Sequence, residues 1–248
     1  MKDAGFDIRQ HASRAEMDKA AAQGIAACIR ETIARQGGAR VVFAAAPSQA
    51  GTLRELCELD GIDWQRVVAF HMDEYVGLPS DHPSGFGNWL RHHLFDRKPF
   101  GTVHLLDMQG DPDMNAEAYA QLLGEAPIDL VCLGIGVNGH IAFNDPPVAD
   151  FADPLVVKRV QLDDICRQQQ VDDGCFPAFA DVPAEALTLT VPALLSGRRM
   201  IAVVPGASKR AAVERALRGP VSTDCPASIL RTHGNCTLFL EPESWPHD

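Results

Sequence analysis

The 248-residue sequence predicts an α/β fold, a mostly parallel open sheet with helices on both faces, and three observations carry that prediction. Short apolar runs rich in β-formers alternate with amphipathic segments of helical period, the pattern of strand–helix units. Several of these runs break directly into loops containing glycine or serine, as strands do where the chain turns into a helix. Hydrophobic residues make up 46% of the chain and no linker-like or low-complexity stretch interrupts it, so one domain over 1–248 is expected.

Taken in order, Ser13-Arg-Ala-Glu16 has the spacing of a capping box. Met17, Ala21, Ile25, Cys28, Ile29 and Ile33 then recur on one helical face until Gly37-Gly38 end it. Residues 41–46 form a β-rich run, followed by the loop Pro47-Ser-Gln-Ala-Gly51 and a helix with Leu53, Leu56 and Cys57 on one face. Such a loop presents backbone N–H groups and the Ser48 hydroxyl at a helix amino end, which suits a phosphate. Capping of the helix by Ser48 is the alternative. Residues 66–71 give the next strand, which delivers Asp73 and Glu74 at its carboxyl end. Adjacent strand residues face opposite ways, so one of the two points into a pocket, and periodicity does not choose between them. A helix is expected over 84–94, with His92 and His93 about 100° apart and therefore surface or packing residues. Strands at 102–106 and 128–133 follow, with a helix over 115–123 between them.

The strand ending at 133 runs into the most informative stretch, Gly134-Ile-Gly-Val-Asn-Gly-His-Ile-Ala-Phe-Asn-Asp-Pro146. Gly134, Gly136 and Gly139 permit sharp turns and close approach of a ligand. His140, flanked by Asn138 and Asp145, lies just beyond a strand's carboxyl end, where open α/β sheets bind ligands. From 149 to 180 the pattern loosens around Arg167-Gln-Gln-Gln170, and long irregular segments in compact domains are often functional covers. Strands at 187–190, 200–204 and 237–240 complete the set, and Pro205-Gly-Ala-Ser-Lys209 forms another strand-to-helix loop. A lysine opening a helix opposes its dipole by ~0.3–1 kcal/mol unless an anion sits there.

The net charge of −11 argues against a general binder of nucleic acid or anionic membrane, although a local cationic pocket for a phosphate fits inside an acidic shell. No apolar run approaches the ~20 residues of a membrane span. Residues 1–10 lack a signal-peptide core, so a cytoplasmic protein is expected. Seven cysteines without a C-x-x-C pair suit reduced thiols, and neither disulfide nor metal is expected.

Two stretches in this order resemble the glucosamine-6-phosphate deaminase (glucosamine/galactosamine-6-phosphate isomerase) family: Met72-Asp-Glu-Tyr-Val-Gly-Leu-Pro79 with His82-Pro83, and Gly134 to Pro146. The related 6-phosphogluconolactonases share the Gly-His pair but continue as His-Thr-Ala-Ser, unlike His140-Ile-Ala-Phe-Asn144. The resemblance implies a modified Rossmann-like fold of the deaminase/6-phosphogluconolactonase type with a mobile lid over 149–180. It implies conversion of glucosamine 6-phosphate and water to fructose 6-phosphate and ammonia without a cofactor. It selects Asp73 as the base at C2 and His140 as the ring-opening proton shuttle, with Asn138 and Asp145 as partners of the histidine. Substrate contacts are implied for Ser48, Gln49, Gly134, Gly136, Lys209 and a lid arginine, for which Arg167 stands nearest.

Three positions depart from the pattern. Pro47-Ser48-Gln49 replaces a threonine- and glycine-rich loop, Asn138 stands where well-known members have aspartate, and Asp145 where glutamate is usual. Allosteric members carry basic residues and a longer carboxyl terminus, whereas this chain stops at Asp248, so no activator site is expected; a homo-oligomer is compatible with the resemblance. The residues alone leave open which hexose 6-phosphate is used, a lactonase-type hydrolysis needing His140 and not Asp73, and a non-catalytic sugar-phosphate sensor.

Overall fold

The computed structural model describes residues 6–107 and 109–246, so the amino-terminal segment read for a signal lies partly outside the described residues, as does Asp248. Ten strands are present among them: β1 Phe6–Gln10, β2 Ala39–Phe43, β3 Val67–His71, β4 Asp73–Tyr75, β5 Thr102–His104, β6 Leu130–Leu133, β7 Val157–Gln161, β8 Glu185–Leu189, β9 Arg199–Val204 and β10 Cys236–Leu240. The α-helices are α1 Arg14–Gln36, α2 Ala50–Glu58, α3 Phe86–Leu90, α4 Pro112–Gly124, α5 Asp164–Asp172, α6 Val191–Leu195 and α7 Arg210–Arg218. Seven strands form a wholly parallel sheet in the order β1-β10-β9-β6-β2-β3-β5. Among the described residues no helix is long and apolar enough to cross a membrane.

The sheet is buried on both faces because its strands are apolar at consecutive positions, and the alternation of side chains distributes them between two cores. Val41, Phe43, Leu130, Cys132, Ile201 and Val203 pack on the side of α1 and α2. Their neighbours Val42, Val131, Leu133, Met200 and Ala202 pack on the side of α4, α6 and α7. Helix α1 opens on half of the expected box: Ser13 Oγ accepts from the Glu16 amide at 3.2 Å, while Glu16 Oε2 reaches one residue further back than the cap and accepts from the Ala12 amide at 3.3 Å. Gly37 closes it at φ 87°, a left-handed conformation that costs a glycine little.

Several elements, the short strand β4 among them, differ from the sequence reading. The edge strand β1 was not expected, since Phe-Asp-Ile-Arg-Gln carries three polar positions and is only partly buried. The strand expected at 187–190 leaves the parallel sheet: β8 is the centre of a separate antiparallel sheet in the order β4-β8-β7, with Asp73 opposite Thr188. The segment 149–180 is more regular than its sequence suggests, because it contains β7 and α5. The helix expected over 84–94 is α3 continued by a π-helical turn at Arg91–Phe95, a distortion frequent near functional sites.

Candidate active site

The chain crosses between the two halves of the parallel sheet at β2 and β6, which lie side by side while β3 continues outward on one flank and β9 on the other. At such a switch point the loops after neighbouring strands diverge and leave a crevice at the strands' carboxyl ends. Here that crevice is lined by residues from four such loops: Ser48 after β2, Asp73 after β3, Gly134, Gly136 and His140 after β6, and Lys209 after β9. Helix α5 closes it from the far side through Gln169, Gln170 and the following Asp173.

His140 owes its orientation to the glycine loop. The Gly136 amide donates to the His140 carbonyl at 2.9 Å, folding the loop back on itself. A Cβ on Gly136 would lie 2.1 Å from His140 Cε1 and Nε2, so the imidazole occupies space that only glycine leaves. Asn138 Oδ1 accepts from the His140 main-chain amide at 3.0 Å, while Asn138 Nδ2 donates to Asp145 Oδ1 at 2.8 Å. Asp145 Oδ1 lies 2.8 Å from His140 Nδ1. Asn138 was expected to hold the imidazole itself. It instead fixes the histidine's backbone and the carboxylate that faces the ring. Burial pushes the Asp145 pKa up, but the adjacent His140 and the Asn138 amide outweigh it and hold the carboxyl below its usual value.

The two acidic neighbours at β4 separate as strand alternation requires. Glu74 turns away from the crevice and accepts from the amides of Tyr75 (2.9 Å), Phe86 (2.9 Å) and Gly87 (2.8 Å), which caps α3. Burial raises its pKa to about 7 against those three donors. Asp73 lines the crevice, buried, and its pKa is raised well above the usual carboxylate range by burial and by the charges of Glu74 and Asp145. The strand end that delivers it is pinned by Tyr119, whose hydroxyl accepts from the His71 amide at 3.0 Å and donates to the His71 carbonyl at 2.9 Å. His71 itself accepts from the Leu106 amide through Nε2 at 2.8 Å, and burial drives its pKa down to about 3, so it stays neutral.

Lys209 lies on the wall formed by the loop before α7. Its Nζ is buried and has no hydrogen-bond partner among the described residues. Burial lowers its pKa, an effect opposed by the charge of Asp173. A buried ammonium without a partner is costly unless an anion joins it.

Two residues expected to touch substrate do not face the crevice. Gln49 is buried and its amide donates to the Val203 carbonyl at 3.0 Å, tying the loop before α2 to β9. Arg167 points out of the crevice, donates to the carbonyls of Phe179 (3.2 Å) and Val182 (2.8 Å), and lies over the Phe179 ring at 4.1 Å. Its helix presents a different face to the site: 169, 170 and 173 cluster by their i, i+3 and i, i+4 spacing. Gln169 is the residue that composition alone did not single out. Its Oε1 accepts from the Val137 amide at 2.9 Å and its Nε2 donates to Asp173 at 3.1 Å, so it joins α5 to the glycine loop. Three amides of that loop, at Gly136, Val137 and Gly139, are thereby engaged within the protein.

Ala142, also on the crevice wall, has φ 49°, a left-handed conformation costing a non-glycine residue about 1–2 kcal/mol. Asn144 holds the turn by donating to the carbonyls of Ile141 (3.0 Å) and Leu189 (2.8 Å).

The family model described as glucosamine-6-phosphate isomerases/6-phosphogluconolactonase matches residues 12–158 and 165–239. A glucosamine-6-phosphate deaminase of Exiguobacterium sibiricum is 31% identical over 216 residues, covering 87% of this chain and 83% of that protein. One of Lactobacillus delbrueckii subsp. bulgaricus is 31% identical over 208 residues, with 82% and 86% covered. A solved structure described as a monomeric glucosamine-6-phosphate deaminase superposes with a TM-score of 0.86 at 29% identity, over 96% of this chain and 98% of that one. A 6-phosphogluconolactonase from Thermotoga maritima superposes at 0.77 with 20% identity, over 95% and 99%, a likeness of fold.

Proposed function

Because the chain belongs to the glucosamine-6-phosphate isomerase/6-phosphogluconolactonase family, we propose that it converts glucosamine 6-phosphate and water to fructose 6-phosphate and ammonia. The observation that carries this reading is the convergence of Asp73, His140 and the unpartnered Lys209 on one crevice. The Lys209 ammonium, with Ser48 at the amino end of α2, supplies a charge and a hydroxyl for the phosphate group. With Nδ1 facing Asp145, the Nε2 of His140 is the nitrogen left to move the proton between ring and hydroxyl oxygens as the pyranose opens. Asp73 then takes the proton from C2 to give an enolamine and returns it to C1, which leaves an imine at C2; water adds to that imine, and the amino group departs as ammonia as the C2 carbonyl forms. Asp145 keeps the imidazole oriented through these steps, and Asn138 keeps Asp145 in place.

The test is an assay for ammonia and ketose 6-phosphate from glucosamine 6-phosphate, with galactosamine 6-phosphate and 6-phosphogluconolactone as competitors. Equal production of ammonia and ketose is expected. Lactone hydrolysis without deamination would overturn the reading, since that chemistry leaves Asp73 without a role. Lys209→Ala is expected to lower kcat/KM by about 10- to 100-fold, the worth of one charge-assisted contact, chiefly through KM. The same variant should treat unphosphorylated glucosamine as the unaltered protein does. A loss of equal size on both sugars would place Lys209 away from the phosphate.

A further inference from the structure

Beside the His140–Asp145 pair the fold places a third buried ligand group, the Cys166 thiol, which the proposed chemistry leaves unused. His140 nitrogen, Asp145 oxygen and Cys166 sulfur lie within 4.8 Å of one another, and all three residues are buried. Asp145 Oδ1 lies 2.8 Å from Nδ1, and the Cys166 thiol interacts with the same fully buried carboxylate. A cation that displaces the thiol proton would take the place of that interaction with two charged ligands in hand.

We propose that these residues form an inhibitory site for a zinc-class divalent cation, with His140 Nδ1, the Cys166 thiolate and both oxygens of Asp145 as its four donors. Four mixed N, O and S donors suit zinc, whereas hard cations such as magnesium require an oxygen shell. Charge also favours it: one carboxylate and one thiolate neutralise a dication, so the loaded site carries no net charge into a buried region. Binding displaces the thiol proton to solvent, and the imidazole proton shifts from Nδ1 to Nε2 so that Nδ1 offers its lone pair. That shift removes the lone pair on Nε2 that faces the crevice. The cation therefore blocks the proton transfer assigned to His140, and in this respect the inference rests on the function proposed above. The sequence gives no hint of the site because Asp145 and Cys166 are separated by β7, and Cys166 reaches the dyad only through α5.

The experiment titrates the intact, reduced protein with cobalt(II), a spectroscopic substitute for zinc. One equivalent per chain is expected to give the ligand-field bands of a four-coordinate ion with a thiolate-to-cobalt charge-transfer band. Cys166→Ser should lose the charge-transfer band and weaken binding by about 100-fold or more. In ammonia-release assays, zinc should stop turnover, a chelator should restore it, and magnesium should have no effect. Cys166→Ala should turn over normally without metal and require about 100-fold more zinc for inhibition. A charge-transfer band that persists in Cys166→Ser, or a cobalt spectrum of a six-coordinate ion only, would overturn the site whatever the activity. A normal cobalt spectrum in a protein that never releases ammonia would sink the proposed reaction and leave the site standing.

Discussion

Asp73→Asn is expected to lower turnover by about 10²- to 10⁴-fold, the usual worth of a general base, while the sugar phosphate still binds. The substitution preserves the shape of a residue that lines the crevice and removes only its basicity. It also relieves a strained ionisation, because burial, Glu74 and Asp145 all disfavour the carboxylate form. A base must be ionised to act, so the raised pKa places the acid limb of the pH–rate profile of the unaltered protein above the ordinary carboxylate range. In the variant that limb should disappear. Loss of hydrogen exchange at C2 with retained binding completes the expected result. Near-normal exchange would move the base elsewhere, and Glu74 is not available for it, since its carboxylate is occupied by three backbone amides on the other side of β4.

Gly136→Ala should be comparably damaging, by about 10²- to 10⁴-fold, for a steric reason. The added methyl would meet the imidazole at 2.1 Å, a separation that no thermal adjustment absorbs. Because the ring lines an open crevice it has room to rotate away, so the overpacking cost to stability should stay within about 1–3 kcal/mol. The measurements are turnover, the histidine NMR signals and a thermal melt. Wild-type turnover would show that the ring position described here is not the working one; a collapse of the melt would show that the loop cannot accommodate the change at all.

The parallel sheet was legible in the sequence because its central strands are buried on both faces and read as unbroken apolar runs, as at 41–43 and 200–204. Strands β7 and β4 were not. Val-Lys-Arg-Val-Gln lacks the alternation of a strand, its two valines standing three residues apart with polar residues between and after them, and β4 is three residues long. In the site, His140 and Asp145 were legible as a compact motif, and Lys209 as a charge placed against a helix dipole. Gln49 and Arg167 lie off the crevice for a reason that sequence does not carry: it gives a side chain's neighbourhood on the chain but not its direction. Gln49 turns inward to β9 and Arg167 turns outward to Phe179, while Gln169 and Asp173, on the adjoining face of α5, meet the crevice.

The small antiparallel sheet has a consequence for how the molecule acquires its shape over time. Asp73 is seated by β4, whose hydrogen-bonding partner β8 lies far downstream, and β8 is completed only by β7. Chain separation does not order the two sheets, since Val41 meets Leu130 in the parallel core across a comparable span. The parallel core has the larger drive to close, because its strands bury apolar side chains on both faces, whereas β4 is three residues long and β7 is partly exposed. In pulsed hydrogen-exchange refolding, amides of β2, β6 and β9 should therefore become protected before those of β4 and β8, leaving a chain that is largely native yet unable to take a proton from a sugar. Simultaneous protection of both sheets would show that the two assemble as one cooperative unit.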